Sequence, residues 1–465
     1  MNTAVRDAIG SGVDPAPVAI VGGGLAGLAA AAALADAGVA TVVVEARRHA
    51  GGRAASFEDR VSGGLVDACQ HVAMGCCTNF LDLCRRTGLD AALRRDRTLS
   101  FIGPDGRRAD CTPSRWLPAP LHLAPLLLGM RHFTLREKLA LARGMLRLAR
   151  PRAGMESRTA LEWLRAIGQP EPVIRLFWQP VVESALGESI DLVSLAATRK
   201  VAVDGFLAHR DAADLLVPTE PLGTLFGARL VAWLRDRGVS FRTGTAATEL
   251  ERSDGGVVAI RCGEERLPCA AAIVAVPWRQ AARLLPDVVP AADERLVGSP
   301  ITAVHLWFDR EVLDVPHAVL VGRVSQWVFR GESVGHCQVV ISASRGLLDG
   351  DRDRLRDTVV AELREIFPPA RGARLRDARV VTDPTAVLSV RPGVEAVRPG
   401  TSTTVANLFL AGDWTATGWP STMEGAIRSG RAAAERAGQA LGRQVRGVVA
   451  DLPRNPLVRL LAGRR

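Results

Sequence analysis

Closely spaced glycines near the start of the chain could hold a phosphate. Residues 22–27 read Gly-Gly-Gly-Leu-Ala-Gly, between an apolar run and an alanine-rich stretch that predict a strand and a helix. The first glycine permits a tight turn, the third lets the backbone approach a pyrophosphate, and the last lets the helix pack on the strand. The helix N-terminus then faces the phosphates. This pattern predicts a dinucleotide-binding turn formed by Gly22, Gly24, Leu25, Ala26 and Gly27.

A carboxylate and an arginine follow at spacings that suit the same ligand. Glu45 ends a second predicted strand, near the ~20-residue offset at which an acidic residue binds ribose hydroxyls. Ala46 and Arg47 come next, and then the run Gly51-Gly52-Arg53. Paired glycines let the chain pass close over a flat or anionic group, and an arginine can pair with a diphosphate. The glycine turn alone does not distinguish NAD from FAD.

The C-terminal part of the chain contains another strand-loop-helix pattern. An apolar run leads to Gly412-Asp413, a loop with two tryptophans, and a helix that starts near Thr422 and Met423. On its own, Asp413 could equally be a plain turn or helix cap. A third segment, residues 238–278, reads as short strands with a hairpin turn and a buried final run. These distant segments would have to meet for their residues to bind one ligand.

Length and composition limit the class of protein. A chain of 465 residues exceeds one usual hydrophobic core, so we expect two joined domains. No apolar window is long enough to span a bilayer, and residues 1–17 lack the apolar core of a secretory signal, which favours the cytoplasm. The eight cysteines show no CxxC spacing, so we expect reduced thiols and no metal. Aromatic residues do not alternate with basic ones, so we expect no nucleic-acid partner.

The net charge of +10 is carried almost wholly by arginine and suits either an anionic membrane or a solvated surface. Residues 115–133 are apolar with basic flanks, and residues 452–465 mix leucine with arginine. Each stretch suits an interfacial segment that lies on a bilayer. The alternative is an ordinary core helix and a frayed tail. We therefore expect peripheral association with the cytoplasmic membrane surface.

The Gly-Gly-Arg run and the late Gly412-Asp413 strand resemble those of the flavin amine oxidase and phytoene desaturase superfamily. The resemblance implies an α/β fold: a Rossmann-like FAD-binding domain assembled from discontinuous segments, plus an α+β substrate-binding domain. The implied FAD-binding segments are 17–85, 215–298 and 400–445, and the implied substrate-binding segments are 86–214 and 299–399. A flexible N-terminus (1–16) and a basic, membrane-associating tail (446–465) would flank them.

The resemblance also implies how FAD is held. Asp413 would bind the ribityl chain or order the diphosphate through water. Amides near Met423 and Glu424 would face the flavin ring, where the helix dipole stabilises negative charge. The backbone near Ala247 would meet the adenine, although a valine is more usual there. No cysteine lies in a flavin-linking motif, so we expect non-covalent FAD.

Longer stretches narrow the resemblance. Five stretches are similar to the squalene-associated FAD-dependent desaturases, a family that includes the hydroxysqualene dehydroxylase of bacterial hopanoid biosynthesis: residues 65–83, 175–189, 299–309, 325–331 and 409–434. This implies a long-chain isoprenoid substrate, replacement of an allylic hydroxyl by hydrogen, and association with squalene-pathway enzymes. Rival interpretations are a carotenoid or isoprenoid desaturase, in which the hydride moves the opposite way, and a non-catalytic flavin-bearing isoprenoid carrier.

A dehydroxylation needs a proton donor for the leaving water. His71, with Gln70 and Asp67 beside it, is the candidate, because this segment passes near the flavin in the superfamily and an imidazole pKa of ~6.5 suits the task. The alternatives are a histidine that is bound in the core or only holds FAD, and a structural Asp67. Thr302 stands where amine oxidases often carry a lysine, which counts against amine oxidation. The candidates to line a substrate cavity, where π faces stabilise a cation, are Trp178, Trp307, Trp327, Trp414 and Trp419.

Overall fold

The computed structural model describes residues 16–60, 63–289 and 293–462. The predicted flexible N-terminus falls almost wholly outside these described residues, as do the last three residues of the predicted tail. The strands are β1 (Val18–Val21), β2 (Thr41–Glu45), β3 (Ser56–Glu58), β4 (Leu65–Asp67), β5 (Ala73–Met74), β6 (Leu93–Asp96), β7 (Leu99–Ile102), β8 (Arg108–Cys111), β9 (Leu215–Pro218), β10 (Ser240–Thr243), β11 (Glu249–Ser253), β12 (Gly256–Cys262), β13 (Glu265–Pro268), β14 (Ala271–Val274), β15 (Gly298–Phe308), β16 (His317–Leu320), β17 (Trp327–Arg330), β18 (His336–Ser342), β19 (Leu375–Leu388) and β20 (Leu408–Leu410).

The α-helices are joined in places by short 3₁₀ and π-helical turns. They are α1 (Leu25–Asp36), α2 (Thr78–Thr87), α3 (Ala124–Gly129), α4 (Leu135–Ala149), α5 (Ala160–Ala166), α6 (Glu171–Val173), α7 (Gln179–Leu186), α8 (Leu195–Lys200), α9 (Leu230–Arg235), α10 (Trp278–Leu284), α11 (Arg352–Ile366), α12 (Pro368–Arg371), α13 (Met423–Ala440) and α14 (Pro456–Ala462).

A parallel sheet joins the two ends of the chain. Its strand order is β10-β2-β1-β14-β20, so segments far apart in sequence lie side by side. The side chains of β1, β2, β14 and β20 are buried, as the continuous apolar runs of a sheet covered on both faces require. Helices α1 and α13 pack together against this sheet. The predicted α/β fold, with a Rossmann-like unit assembled from discontinuous segments, is confirmed.

A second, seven-stranded sheet lies beside the parallel one in the fold. Its order is β19-β15-β18-β17-β16-β7-β8, and every neighbouring pair is antiparallel except β16 with β7. Strand β15, next to the edge strand β19, is almost entirely buried, and one face of the sheet is covered by α11. Segments 86–214 and 299–399 both contribute strands here. The domain boundaries themselves stay a prediction.

The C-terminal segment is laid across both parts of the molecule. The side chain of Asn79 exchanges hydrogen bonds with the backbone of Val449, and Asp451 forms an ion pair with Arg428 of α13. Further on, Arg454 lies 3.4 Å from the carboxylate of Asp204. The alternative of a frayed tail is therefore wrong for residues 452–462, because Arg454 and the backbone of Asn455 are bound to other segments and Val458 and Ala462 are buried.

None of the described helices combines the length and apolar character needed to cross a bilayer. All eight cysteine thiols are unpaired, and six of them are buried.

Candidate active site

The glycine turn and the Gly-Gly-Arg run form one continuous cradle. Gly51 donates to the carbonyl oxygen of Gly23 at 2.8 Å, and this contact joins the two loops. Gly24 caps α1 without a side-chain hydrogen bond, and the first turn of α1 carries no acidic residue. Its N-terminal amides are therefore available to an anion. Leu25 and Ala26 are buried in this first turn, beneath the cradle.

Glu45 fixes the shape of the cradle from the end of β2. Its carboxylate accepts hydrogen bonds from the amides of Gly23 at 2.7 Å and Arg47 at 2.8 Å. A carboxylate has about four acceptor positions, so two remain for ribose hydroxyls. Thr245 donates to the carbonyl oxygen of Glu45, which brings the half-buried Ala247 close by. Ribose and adenine binding here stay predictions, as does any contact of Ala46, which is exposed.

Arg53 and Asp413 meet although 360 residues separate them in the chain. The guanidinium lies 2.5 Å from the carboxylate, and Ser421 donates to its other oxygen. Burial would raise the pKa of Asp413, but attraction to Arg53 and these hydrogen bonds outweigh it, so the pKa lies below its usual value. Attraction to Asp413 raises the pKa of Arg53. Arg53, which the sequence predicts to pair with the diphosphate, is thus also paired with the carboxylate of Asp413.

Arg398 holds the loop that follows Gly412 and was missed by the sequence reasoning. Its buried guanidinium donates to the carbonyl oxygens of Asp413 at 2.9 Å and Thr415 at 2.5 Å. A Cβ at Gly412, where φ is +139°, would lie 2.3 Å from the indole nitrogen of Trp414, which donates to Val276 O. Nothing local in the sequence signals these contacts. They lock the loop that presents Asp413.

The start of α13 points its amides towards the same region. The hydroxyl of Thr422 accepts from the amide of Gly425 and caps the helix, and Met423 begins it. The Glu424 side chain turns away and accepts from the amides of Asn79 and Phe80 at the start of α2. The first amides of α13 are therefore free of a competing carboxylate from Glu424.

The candidate acid segment lies next to this cluster. Asp67 accepts from the hydroxyl of Ser56 at 2.6 Å and the amide of Leu222 at 2.7 Å, and burial raises its pKa to about 6. His71 Nδ1 lies 2.7 Å from the carbonyl oxygen of Cys69. Burial, and then the nearby charge of Arg53, lower the pKa of His71 below its usual value. A carboxyl group with a raised pKa and an imidazole with a lowered pKa thus lie beside the cradle.

A buried polar cluster of the large sheet supports this segment, and the sequence reasoning missed it. The side chain of Gln338 accepts from the amide of Gln70 at 2.6 Å and donates to His305 at 2.8 Å. His305 and Trp307 each stack with His336, at centroid distances of 5.6 and 4.8 Å. Burial lowers the pKa of both histidines to about 4, so they are neutral at pH 7. The sequence pattern that could have predicted this cluster is the alternation of polar or aromatic residues on two strands, His-x-Trp in β15 and His-x-Gln in β18.

The other candidate tryptophans are placed differently from Trp307. Trp178 and Trp414 are buried in two separate cores, and Trp178 donates to Gln169. Trp327 donates to Ser184. Trp419 donates to Asp451, and its ring is covered by Lys200 at 4.5 Å and Arg428 at 4.8 Å. These surroundings favour packing roles, whereas Trp307 stacks on His305, which Gln338 links to the acid segment. Cavity lining stays a prediction.

Substituting alanine at two glycines should separate ligand binding from packing. A Cβ at Gly27 would lie 1.9 Å from Gly22 O, so Gly27→Ala should destabilise the apoprotein by about 1–3 kcal/mol. A Cβ at Gly24 would meet only Gly52 Cα, at 3.8 Å, so Gly24→Ala should fold normally but bind dinucleotide at least about 10-fold more weakly. Urea denaturation and cofactor titration measure the two effects, with Gly346→Ala, which has open space, as control. Unchanged affinity in Gly24→Ala would contradict this assignment.

The arrangement fits a flavin dinucleotide. Uncapped amides at α1 suit a pyrophosphate, Glu45 suits a ribose, and a second helix N-terminus at α13 suits the electron-rich edge of an isoalloxazine. Gly22, Gly24, Gly27, Gly51, Gly52, Arg53, Gly412 and Asp413 lie around this space. When bound, such a group supplies two-electron hydride chemistry.

Comparisons with known proteins agree with this geometry. A family model described as flavin containing amine oxidoreductase matches residues 25–437. A hydroxysqualene dehydroxylase of Sinorhizobium fredii (strain NBRC 101917 / NGR234) is 29% identical over 433 residues, covering 91% of this chain and 98% of the relative. A 15-cis-phytoene desaturase of Synechococcus elongatus (strain ATCC 33912 / PCC 7942 / FACHB-805) is 28% identical over 460 residues, covering 90% and 95%.

The solved structures show the same fold. The cyclohexylamine oxidase of Brevibacterium oxydans IH-35A matches with a TM-score of 0.64 and 20% identity, over 92% of this chain and all of that one. The family match covers most of the chain, and the residues around the cradle suit the cofactor that the family name states. The chain therefore belongs to the flavin containing amine oxidoreductase family and is an oxidoreductase whose cofactor is FAD.

Proposed function

We propose that the protein removes the allylic hydroxyl of hydroxysqualene, a C30 isoprenoid alcohol, to give squalene. The observation that carries the proposal is the position of His71 and Asp67, two ionisable side chains that hydrogen bonds to Cys69, Ser56 and Leu222 hold beside the FAD cradle. The similarity to a hydroxysqualene dehydroxylase over 91% of the chain supports the substrate class. Thr302, bonded to Ser344 and Thr382, replaces the lysine expected of an amine oxidase.

The reaction replaces a C–O bond by a C–H bond. The hydroxyl takes up one proton and leaves as water, and the allylic carbon receives a hydride, which bound reduced FAD supplies. Hydroxyl is a poor leaving group, so the site must donate a proton as the bond breaks. It must also tolerate positive charge at the allylic carbon, for which an aromatic face is suited.

His71 is our proposed proton donor. Its Nδ1 is engaged with Cys69 O, so Nε2 is the nitrogen available to a substrate. Asp67 accepts two hydrogen bonds at Oδ1, from the hydroxyl of Ser56 and the amide of Leu222, and we assign it a positioning role. Gln338 fixes the backbone of Gln70, and the neutral His305–His336 pair adds no competing charge. Trp307 stacks on this pair, and we propose that its ring supplies an aromatic face.

A second candidate is desaturation of a carotenoid or other isoprenoid, with the hydride moving to the cofactor. It is favoured by the similarity to a 15-cis-phytoene desaturase over 90% of the chain. The same cradle and the same apolar substrate class would serve either direction of transfer. The proton donor distinguishes them, because a desaturase needs a base, or no proton donor at all, rather than an acid.

Anaerobic mixing of the photoreduced flavoprotein with hydroxysqualene tests the proposal. We expect the visible flavin absorbance to return in one exponential phase while an equal amount of squalene forms. Reduced protein that stays reduced with hydroxysqualene, whereas oxidised protein is bleached by phytoene, would support the desaturase instead. Bound FAD and bound isoprenoid without either change would support the non-catalytic carrier instead.

Association with squalene-pathway enzymes is part of the same proposal, and co-purification of the enzyme that supplies hydroxysqualene would test it.

A further inference from the structure

Exposed large apolar side chains are concentrated in one part of the molecule. Of the fourteen such residues in the described chain, nine lie within residues 116–146 and 457–460. Single exposed leucines are normal, but a cluster of them marks an interaction site. The nine residues, which we call the apolar surface, are Trp116, Leu117, Leu121, Leu128, Leu135, Leu139, Leu146, Leu457 and Leu460.

Helix α4 has one apolar stripe towards the core and another towards solvent. Leu141 and Leu148 are buried, whereas Leu135, Leu139 and Leu146 are 69%, 48% and 40% exposed. At about 100° per residue, the three exposed leucines lie within ~40° of one another on the helix. An outward apolar stripe of this kind requires an apolar partner, because an amphipathic helix normally turns polar residues to water.

Two other segments extend this stripe into one surface. Lys138 donates to the carbonyl oxygen of Leu128 at 2.7 Å, which ties the end of α3 to the first turns of α4. In α14, Val458 and Ala462 pack into a small core with Ala149 at the end of α4. This packing leaves Leu460 of α14 84% exposed. Parts of the chain separated by more than three hundred residues therefore share the surface.

Arginines surround the apolar surface. Residues 115–152 contain seven arginines and one lysine but a single acidic residue, Glu137, which caps α4. All seven arginines are exposed, and none forms an ion pair with a carboxylate of the described residues. Some exposed arginines elsewhere do pair, as Arg94 does with Asp96 and Arg310 with Asp309. Free cations around an apolar face match phosphate head groups above acyl chains.

We propose that the apolar surface docks on a bilayer of anionic phospholipid, with Trp116 and the leucines among the acyl chains and the arginines at the phosphates. A second copy of the chain is the weaker occupant, because a self-complementary contact would bring two sets of unpaired arginines together. Docking needs no substrate, so it stands or falls independently of the proposed reaction.

Flotation of the full-length flavoprotein with vesicles tests the apolar part of the surface. The protein should bind phosphatidylcholine vesicles that contain phosphatidylglycerol, and Leu135→Ser/Leu139→Ser/Leu146→Ser should weaken binding at least about 10-fold. The matched control, Val324→Ser/Val334→Ser/Leu348→Ser, changes three exposed apolar residues elsewhere and should bind like the parent. Equal binding by the two triple variants would overturn the proposal.

The charged part is tested with the same vesicles. Arg136→Gln/Arg143→Gln/Arg150→Gln should bind at least about 10-fold more weakly, whereas Arg352→Gln/Arg376→Gln/Arg436→Gln, with the same change in net charge, should not. Binding should also fall with added salt and be weak to pure phosphatidylcholine. If no vesicle is bound but the parent self-associates in sedimentation and the leucine variant does not, the occupant is a second copy and the bilayer proposal fails.

Discussion

Replacing His71 with glutamine is expected to lower turnover of hydroxysqualene by about 10²–10⁴-fold while FAD stays bound. Glutamine keeps a polar side chain next to Cys69 but cannot deliver a proton from the position of Nε2. Anaerobic single turnover, followed by flavin absorbance and squalene formation, measures the loss. His209→Gln changes a half-buried histidine whose ring nitrogen accepts from the amide of Asp211, away from the FAD cradle, and should react like the parent. Undiminished turnover in His71→Gln would remove His71 from the mechanism.

The pH dependence distinguishes His71 from Asp67. Burial lowers the pKa of His71 below 6.5 and raises that of Asp67 to about 6. An acid catalyst must be protonated, so the rate should fall as the pH rises through the pKa of the group that donates. We expect this fall in the parent and in Asp67→Asn, and a flat profile in His71→Gln. The reverse pattern, flat in Asp67→Asn and unchanged in His71→Gln, would assign the proton to Asp67.

The parts of the site that the sequence predicted are those whose cause is local. The turn at residues 22–27 needs glycine because helix α1 packs directly on it, and Glu45 ends the next strand in the same βαβ unit. The strand before Gly412 was recognisable for the same reason: an apolar run, a glycine and a capped helix follow one another. The parallel sheet could be predicted from the same units, because their continuous apolar strands must be buried on both faces and therefore pair side by side in one sheet.

The parts that were missed depend on partners far away in the chain. Arg398 is an ordinary loop arginine in sequence, and only the folded chain turns it onto the carbonyl groups after Gly412. Gln338 and His305 face the acid segment because β15 and β18 pair in a register that places them opposite each other. Register is set by the whole sheet, so no short window could reveal it. The position of the C-terminal segment likewise could not be predicted, because the residues that bind it, Asn79 and Asp204, are far away in the chain.

The Arg53–Asp413 pair combines a local sequence pattern with a long-range contact. Each residue was predicted to contact the cofactor separately, and the structure brings them together at 2.5 Å. Asp413 is almost fully buried, whereas the Arg53 side chain is 37% exposed. Removing the arginine leaves a buried carboxylate without its main partner. Because solvent reaches one side of the pair, the loss should be smaller than for a fully buried pair.

Arg53→Met should therefore lower the free energy of unfolding of the apoprotein by about 1–3 kcal/mol at pH 7 and nearly abolish FAD retention. The folded-state pKa of Asp413 is depressed, so the stability it contributes is present above its unfolded pKa of about 3.8 and is lost as the pH falls through the folded value. The loss of stability in Arg53→Met should thus shrink as the pH falls.

Adding Asp413→Asn to Arg53→Met should restore stability but not FAD binding, because it removes the unpaired charge without replacing the cation. Urea denaturation across pH and FAD titration measure these effects, and Arg107→Met, in an exposed pair with Asp105, should change neither. A double variant no more stable than Arg53→Met alone would show that the two residues are not coupled.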